Sequence, residues 1–370
     1  MKYLVTSDIH LGHKNTPTTH IISSFKTHIL NDKHTDLDIL FIAGDLFDHL
    51  LYLNTKEAQQ CIAFIHYLLH YCYTHQITLI VLEGTPSHDW YQSNLLVKIN
   101  ELREHKAQLY YHKTLDIQYL PEYQKHILFI PDEWCKDQQE LEAQINAKLK
   151  EHNIEKVDIA ILHGQFRYQL QGRPSSAFCY DEAYFLGLVR EHIHIGHYHV
   201  HTRFDRIIAQ GSLERLAHGE EQPKGFVLVD SGTPIFLENP DAYTYATIAI
   251  TPKTTQAKLD KLIQGYRPGS HVRLSMPPES PFNQIFQELK VRYGDYHLKK
   301  LVKDTASDAS TVTYITGDDG IDFADNLYLE TNIYDALIHA VNAKHTLTES
   351  ERSKLLEYAK VFVNTPVGDA

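Results

Sequence analysis

Five hydrophobic runs in this chain each lead into an Asp or a His. Tyr3–Thr6 leads into Ser7-Asp8-Ile9-His10, and Ile39–Ala43 into Gly44-Asp45-Leu46-Phe47-Asp48. Leu79–Leu82 leads to Ser87-His88-Asp89, Ile159–Leu162 to His163-Gly164, and His192–Ile195 to Gly196-His197-Tyr198-His199. Runs this short, bounded by Gly and polar residues, read as buried strands. Ligand-type residues at the exits of successive strands are how an α/β sheet assembles a site. The chain is therefore expected to be α/β, with its chemistry gathered along one rim of the sheet.

Taken singly, Asp8, His10 and Asp45 could be turn or cap residues, and His163, His197 and His199 could be satisfied buried imidazoles. Five in order favour a metal cluster. Asp8 and His10 lie two apart, as do His197 and His199, so each pair can point the same way. Gly44 before Asp45 permits close backbone approach. Asp and His donors suit manganese, iron or zinc better than calcium, and no Cys stands among them to select a softer metal. Hydrolysis of a phosphodiester needs an activated water, charge neutralisation and a proton for the leaving oxygen, and a metal pair supplies the first two.

The 370 residues allow two or three domains. A net charge of -12 argues against a generally basic nucleic-acid coat, but a local patch and bound metals can still hold a phosphate backbone. Cys61, Cys72, Cys135 and Cys179 show no paired spacing, which suggests a reducing compartment and no disulfide framework. The first strand begins almost at Met1 and no apolar run has membrane-spanning length, so a soluble cytoplasmic protein is expected.

Residues 1–240 alternate strand and helix patterns, with helices expected over 54–75 and 138–152. The 54–75 helix is apolar on more than one face, which fits deep burial or a subunit contact. Glu238-Asn239-Pro240-Asp241 reads as a linker. A small α+β domain is expected over 241–328, with strands near 243–250, 271–276 and 297–302 and helices near 254–265 and 281–291. Lys290, Arg292, Lys299, Lys300 and Lys303 gather there, as a solvated face or a DNA-facing patch. Over 329–370, Ile333, Ala336, Leu337, Ala340 and Val341 form one helical stripe. Thr348-x-x-Glu351 is a capping box opening a second helix, with Leu355, Tyr358, Ala359 and Phe362 on one side.

These motifs resemble the calcineurin-like metallophosphoesterases, and within them the SbcD-like nuclease subunits of SbcC–SbcD type repair complexes. Beyond the strand-end motifs, Gly211-Ser212-Leu213-Glu214-Arg215 and Lys224-Gly225-Phe226 carry the likeness, which covers 1–240 nearly throughout and the rest in layout. The resemblance implies a sandwich of mixed sheets flanked by helices, a small capping domain and a C-terminal helical pair. It implies one metal on Asp8, His10, Asp45 and His199, and a second on Asp45, His163, His197 and an oxygen from the third motif. His88 would stabilise the transition state or protonate the leaving oxygen, with Asp89 orienting it.

The third motif departs from the family's Gly-Asn-His-Asp. Gly84-Thr85-Pro86-Ser87-His88-Asp89 puts Ser87 where Asn is expected, with two residues inserted after Gly84. Ser87, a water or a loop carbonyl would then complete the second metal's shell. Asp48 reads as a structural hydrogen-bond partner.

By the same resemblance the chain would be a nuclease using two divalent ions, most naturally Mn2+, with Mg2+, Fe2+ or Zn2+ as alternatives. It would act on duplex DNA ends and on single-stranded or hairpin DNA. It would work as a homodimer, bound to an SbcC-like ATPase through the 329–370 helices. No phosphate-binding Gly-rich loop with Lys-Ser/Thr occurs in the chain, so the ATPase would have to be a separate subunit. Another metallophosphoesterase activity, on monoesters or cyclic nucleotides, and a non-catalytic scaffold for the ATPase are the competing expectations.

Overall fold

A computed structural model describes residues 1–132, 134–170 and 178–302. These residues belong to one compact unit. The expected helices of 329–370 and the end of the expected 241–328 domain, Lys303 included, lie outside the described residues.

The chain first alternates β1 (Tyr3–Thr6), α1 (Thr18–His28), β2 (Ile39–Ala43), α2 (Lys56–Thr74), β3 (Thr78–Leu82), α3 (Pro86–Asp89), α4 (Asn94–Glu101) and β4 (Leu109–His112). There follow β5 (Asp116–Leu120), β6 (Lys125–Ile130), α5 (Gln138–Glu151), β7 (Val157–His163), α6 (Glu182–Leu188), β8 (Val189–Gly196), β9 (Thr202–Phe204) and β10 (Ile207–Ala209). The hairpin β11 (Gly225–Asp230) and β12 (Thr233–Glu238) closes this part. Last come β13 (Tyr245–Ala249), α7 (Gln256–Gln264), β14 (His271–Met276), α8 (Pro281–Gln284), α9 (Phe286–Arg292) and β15 (His297–Val302).

Two six-stranded mixed sheets result, ordered β12-β11-β1-β2-β3-β4 and β5-β6-β7-β8-β10-β9. β1 to β4 are parallel, as are β6, β7, β8 and β10, and the antiparallel strands sit at the edges. Side chains alternate along each central strand. Tyr3, Val5, Phe41, Ile80, Phe129, Ile161 and Val227 fill one core shared by both sheets. Leu4, Leu40, Ile42 and Leu79 point the other way, into a core with Phe25, Phe64, Ile65 and Leu68 from α1 and α2. Leu128, Ile130, Ala160 and Leu162 do the same against Leu141 and Ile145 of α5 and Phe185 of α6. Burial on both faces is why these strands read as unbroken hydrophobic runs.

The layering explains α2. Cys61, Phe64, Ile65, Leu68, Leu69 and Cys72 are all buried within the chain, between α1 and α4, so its wide apolar surface is core. Thr55 caps its start, accepting from Ala58 N at 3.2 Å. All four cysteines are free. Among the described residues no helix is long and apolar enough to cross a membrane.

Among the described residues of the expected α+β unit, β13, β14 and β15 pair in parallel, with α7 and then α8–α9 as the crossovers that parallel strands require. The helix expected over 281–291 breaks at Ile285, whose backbone (φ -97, ψ 17) leaves the helical region between α8 and α9. This sheet has its own core of Leu259, Ile263, Val272, Leu274, Phe286 and Leu289.

The joint between the large and small parts runs through Glu214, which is fully buried. Its carboxylate accepts from Asn239 Nδ2 (3.0 Å) and from Tyr243 N (2.5 Å), and His20 Nε2 of α1 lies 3.4 Å away. Asn239 Nδ2 also donates to Ser24 Oγ and Leu213 O. Truncating Glu214 to Ala would leave Tyr243 N without this acceptor and open a void beside Asn239, which keeps Ser24 Oγ and Leu213 O. Glu214→Ala is expected to lower unfolding free energy by about 3 kcal/mol, read by denaturant titration, with Glu214→Gln losing less. Equal stability of Glu214→Ala and the unaltered chain would remove Glu214 as the anchor of this joint.

Candidate metal centre

The parallel strands of both sheets deliver their C-terminal ends to one rim. There the backbone turns sharply into the left-handed region at Asp8 (φ 50), His10 (φ 52), Asp45 (φ 49) and His197 (φ 88). Non-glycine residues enter that region only at a cost, and such strain gathers at functional sites. Glycines let the strand exits touch, Gly44 and Gly196 between the two sheets and Gly84 within one. A Cβ on Gly44 would lie 2.1 Å from His163 Nδ1, one on Gly84 2.1 Å from Asp45 N, and one on Gly196 2.2 Å from the Ala43 carbonyl.

Six of the sequence-designated ligands converge. Asp8, His10 and His199 bring one ligand atom each within 4.8 Å of one another; so do Asp45, His163 and His197, and so do His10, Asp45 and His88. Asp45 is common to the last two sets. Its Oδ2 lies 3.3 Å from His163 Nε2 and 3.8 Å from His10 Nε2, and Asp8 Oδ1 lies 3.6 Å from His199 Nε2. Asp8, His10, Asp45 and His163 are all buried.

The outer nitrogen of each of four rings is held. His163 Nδ1 donates to the Ala43 carbonyl (2.7 Å) and His88 Nδ1 to the Asp48 carbonyl (2.7 Å). His199 Nδ1 donates to Glu220 Oε1 (2.8 Å), and His10 Nδ1 to Asp48 Oδ1 (3.2 Å). These partners assign the tautomers and aim every Nε2 inward. His10 Nε2 and His199 Nε2 then face each other at 3.3 Å. Two lone pairs at that distance repel unless a cation or a proton lies between them. This is the feature of the donor set that best fits a metal ion.

The electrostatics agree. Burial opposes protonation of His10, but hydrogen bonding to Asp48 and the charges of Asp45, Asp48 and Asp8 outweigh it and lift the ring to about 9. Burial likewise opposes a charge on His163, yet Asp45, Asp8 and Asp132 push it well above the usual imidazole range. Asp45, despite burial, is held well below the carboxylate range by His163, His10 and His88. The cluster's negative charge is strong enough to gather positive charge onto its rings, which is the charge a divalent cation would supply.

The structure does not bring Ser87 into the cluster. Ser87 is exposed on α3, and its carbonyl accepts from Trp90 Nε1. Thr85 takes the place expected for it: its hydroxyl lies 3.2 Å from Asp45 Oδ2, 3.4 Å from His163 Nε2 and 3.4 Å from His197 Nδ1. Thr85 directly follows Gly84, whose close approach to Asp45 sets the hydroxyl against the cluster. Asp132 also enters, with Oδ2 3.1 Å from Thr85 Oγ1 and 3.3 Å from His197 Nδ1. Its signal was present in the sequence: Ile127–Ile130 is a further hydrophobic run leading through Pro131 to an Asp.

Asp89 does not orient His88. Its two oxygens accept from Phe47 N (2.9 Å) and Gly84 N (2.8 Å), pinning the β2 exit to the β3 exit. Burial, with Asp45 and Glu83 nearby, raises its pKa well above the carboxylate range. His88 is oriented by the Asp48 backbone, and its ring packs edge-on to His10 at 4.9 Å. Asp48 is the hydrogen-bond partner expected of it, and His49 shares its other oxygen at 3.1 Å.

No family model and no curated protein matches the chain. The functional reading therefore rests on the geometry and on the motifs. Thr85→Val, which keeps the shape and removes the hydroxyl, is expected to weaken Mn2+ binding about tenfold by isothermal titration. Ser87→Ala is expected to leave it within about twofold of the unaltered chain. A loss confined to Ser87→Ala would return the ligand role to Ser87.

Proposed function

We propose that the chain is a two-metal phosphodiesterase that cuts DNA, built like the SbcD-type nuclease subunits its motifs resemble. The observation that carries this reading is the Asp45 carboxylate, set between His10 on one side and His163 with His197 on the other. One metal would be held by Asp8, His10, Asp45 and His199, and the other by Asp45, His163, His197 and oxygens from Thr85 and Asp132. The two-sheet sandwich with outer helices is the metallophosphoesterase arrangement under this reading. Two divalent ions bound there, most naturally Mn2+, would supply the activated water and neutralise the phosphoryl oxygens.

The chain's own residues do the rest. His88 presents Nε2 to the cluster from a ring fixed by its bond to the Asp48 carbonyl. Burial lowers its hold on a second proton, so a proton acquired at Nε2 passes readily to a leaving oxygen. Asp89 and the three rim glycines keep the strand exits in register. Homodimer formation and docking of an SbcC-like ATPase through 329–370 belong to the same proposal.

End-labelled duplex and hairpin DNA, incubated with Mn2+, test the reading directly. Cleavage is expected, with loss on adding EDTA. His88→Gln is expected to lower kcat by about 10²–10⁴-fold with bound metal unchanged. Unaltered cleavage by His88→Gln would sink the assignment of His88. Hydrolysis of a chromogenic diester without cleavage of DNA would favour a small-molecule phosphodiesterase, and metal binding with no hydrolysis a scaffold.

A further inference from the structure

Immediately past His88 and Asp89, two bulky aromatic residues in succession adopt left-handed backbone, Trp90 at φ 47 and Tyr91 at φ 55. Bulky side chains rarely do so, and here the strain is held in place. Tyr91 N donates to Glu83 Oε1 (2.6 Å), while Glu83, itself buried, accepts at its other oxygen from Tyr111 (2.6 Å). Trp90 Nε1 donates to the Ser87 carbonyl (2.7 Å). The result is two large rings presented to solvent, Trp90 55% and Tyr91 59% exposed, the Trp90 ring held by its own N–H and Tyr91 by its backbone.

A second arm stands beside this turn. Gln92 accepts from Leu51 N (2.8 Å) and donates to the His49 carbonyl (2.9 Å), which ties the 49–53 loop to the 89–92 turn. That loop exposes Tyr52 (68%) and Leu53 (70%). It starts at Asp48, whose carbonyl holds His88. It also forms one wall of a cleft of about 470 Å³ whose other wall begins at Gly12 and His13, just past His10. Lys14 and Lys56 line that cleft.

We propose that Trp90, Tyr91 and Tyr52 form a stacking platform for the bases of an unpaired nucleic-acid strand, whose backbone runs past His88 into the metal cluster. This rests on the phosphodiesterase reading above. Flat aromatic faces bind bases whose own faces are free, which a single strand offers and an intact duplex hides. Lys14 and Lys56 supply local positive charge for the backbone. Holding the Trp90 ring and the Tyr91 backbone before binding removes part of the ordering cost.

The experiment is direct binding of a short labelled oligodeoxythymidylate, and of a duplex of equal length, by fluorescence anisotropy in EDTA. Trp90→Ala and Tyr52→Ala are each expected to weaken single-strand binding about tenfold, with duplex binding within about twofold and Trp90→Phe retaining most of the affinity. Tyr52 lies on an unstrained exposed loop, so its variant guards against a folding defect at Trp90. Unchanged single-strand affinity in both alanine variants, or equal loss for duplex, would overturn the platform. So would a switch from dimer to monomer in Trp90→Ala with strand affinity intact, which would make the patch an interface between copies. Strand binding as expected without cleavage on adding Mn2+ would leave the platform and remove the hydrolase reading. Cleavage with strand affinity intact in Trp90→Ala would do the reverse.

Discussion

The structure depends on how closely the rims of its two sheets approach. Packed sheets ordinarily stand about 10 Å apart, which is too far for side chains from one rim to share an ion with those of the other. Here the exits of β2, β3 and β8 meet at Gly44, Gly84 and Gly196, where any Cβ would fall at 2.1–2.2 Å from a neighbouring atom. The His163 bond to the Ala43 carbonyl crosses the gap directly. Closure at the rim lets Asp8 and Asp45 from one sheet meet His163, His197 and His199 from the other. The left-handed turns at Asp8, His10, Asp45 and His197 are the local cost of aiming side chains into so narrow a space.

Within that space the chain has solved an orientation problem before any charge problem. An imidazole can present either nitrogen, and a flipped ring would bring a proton where a lone pair is needed. Two backbone carbonyls and two carboxylates, those of Ala43, Asp48 and Glu220, remove the choice for His163, His88, His10 and His199. His197 differs: it meets the cluster through Nδ1, beside Thr85 and Asp132. This side of the cluster thus gathers a hydroxyl and a further carboxylate beside its imidazoles.

Much of this was legible in the sequence because buried parallel strands and their exits leave a strong local signature. β1, β2, β14 and β15 coincide with their expected runs, and the six residues expected as ligands converge. What escaped notice has physical causes. Edge strands such as β4 and β5 are half-exposed and lack the unbroken apolar run. β6 has that run, Ile127–Ile130, and passing over it also hid Asp132 at its exit. α1 reads as polar because Thr, Ser and His surround only Ile21, Ile22 and Phe25. Ser87 and Thr85 are equivalent hydroxyl residues in one dimension, and only the fold shows that Thr85 faces Asp45 and His163 while Ser87 faces solvent. Asp89 sits next to His88 in sequence, but its side chain serves the backbone behind the site.

The two motifs that hold no ligand, around Ser212 and Lys224, are explained by the loop that carries His199. Lys224 is buried, and its three ammonium donors are matched by the His199 carbonyl (2.8 Å), Ser212 Oγ (2.9 Å) and Glu220 Oε2 (2.9 Å). The other Glu220 oxygen accepts from His199 Nδ1, so one ion pair fixes both the backbone and the ring of His199. Burial lowers the Lys224 pKa, while His199 and Lys224 hold Glu220 well below the usual carboxylate range against its own burial. A buried ion pair adds little net stability compared with a well-packed apolar replacement, but breaking one partner is costly. Its retention here is therefore better understood as specifying one position of His199 than as strengthening the fold. Ser212 and Glu214, two residues apart, point that specification in two directions: Ser212 toward the cluster, Glu214 toward the joint with the small sheet. One short segment thereby couples the position of a ligand to the seating of the neighbouring unit.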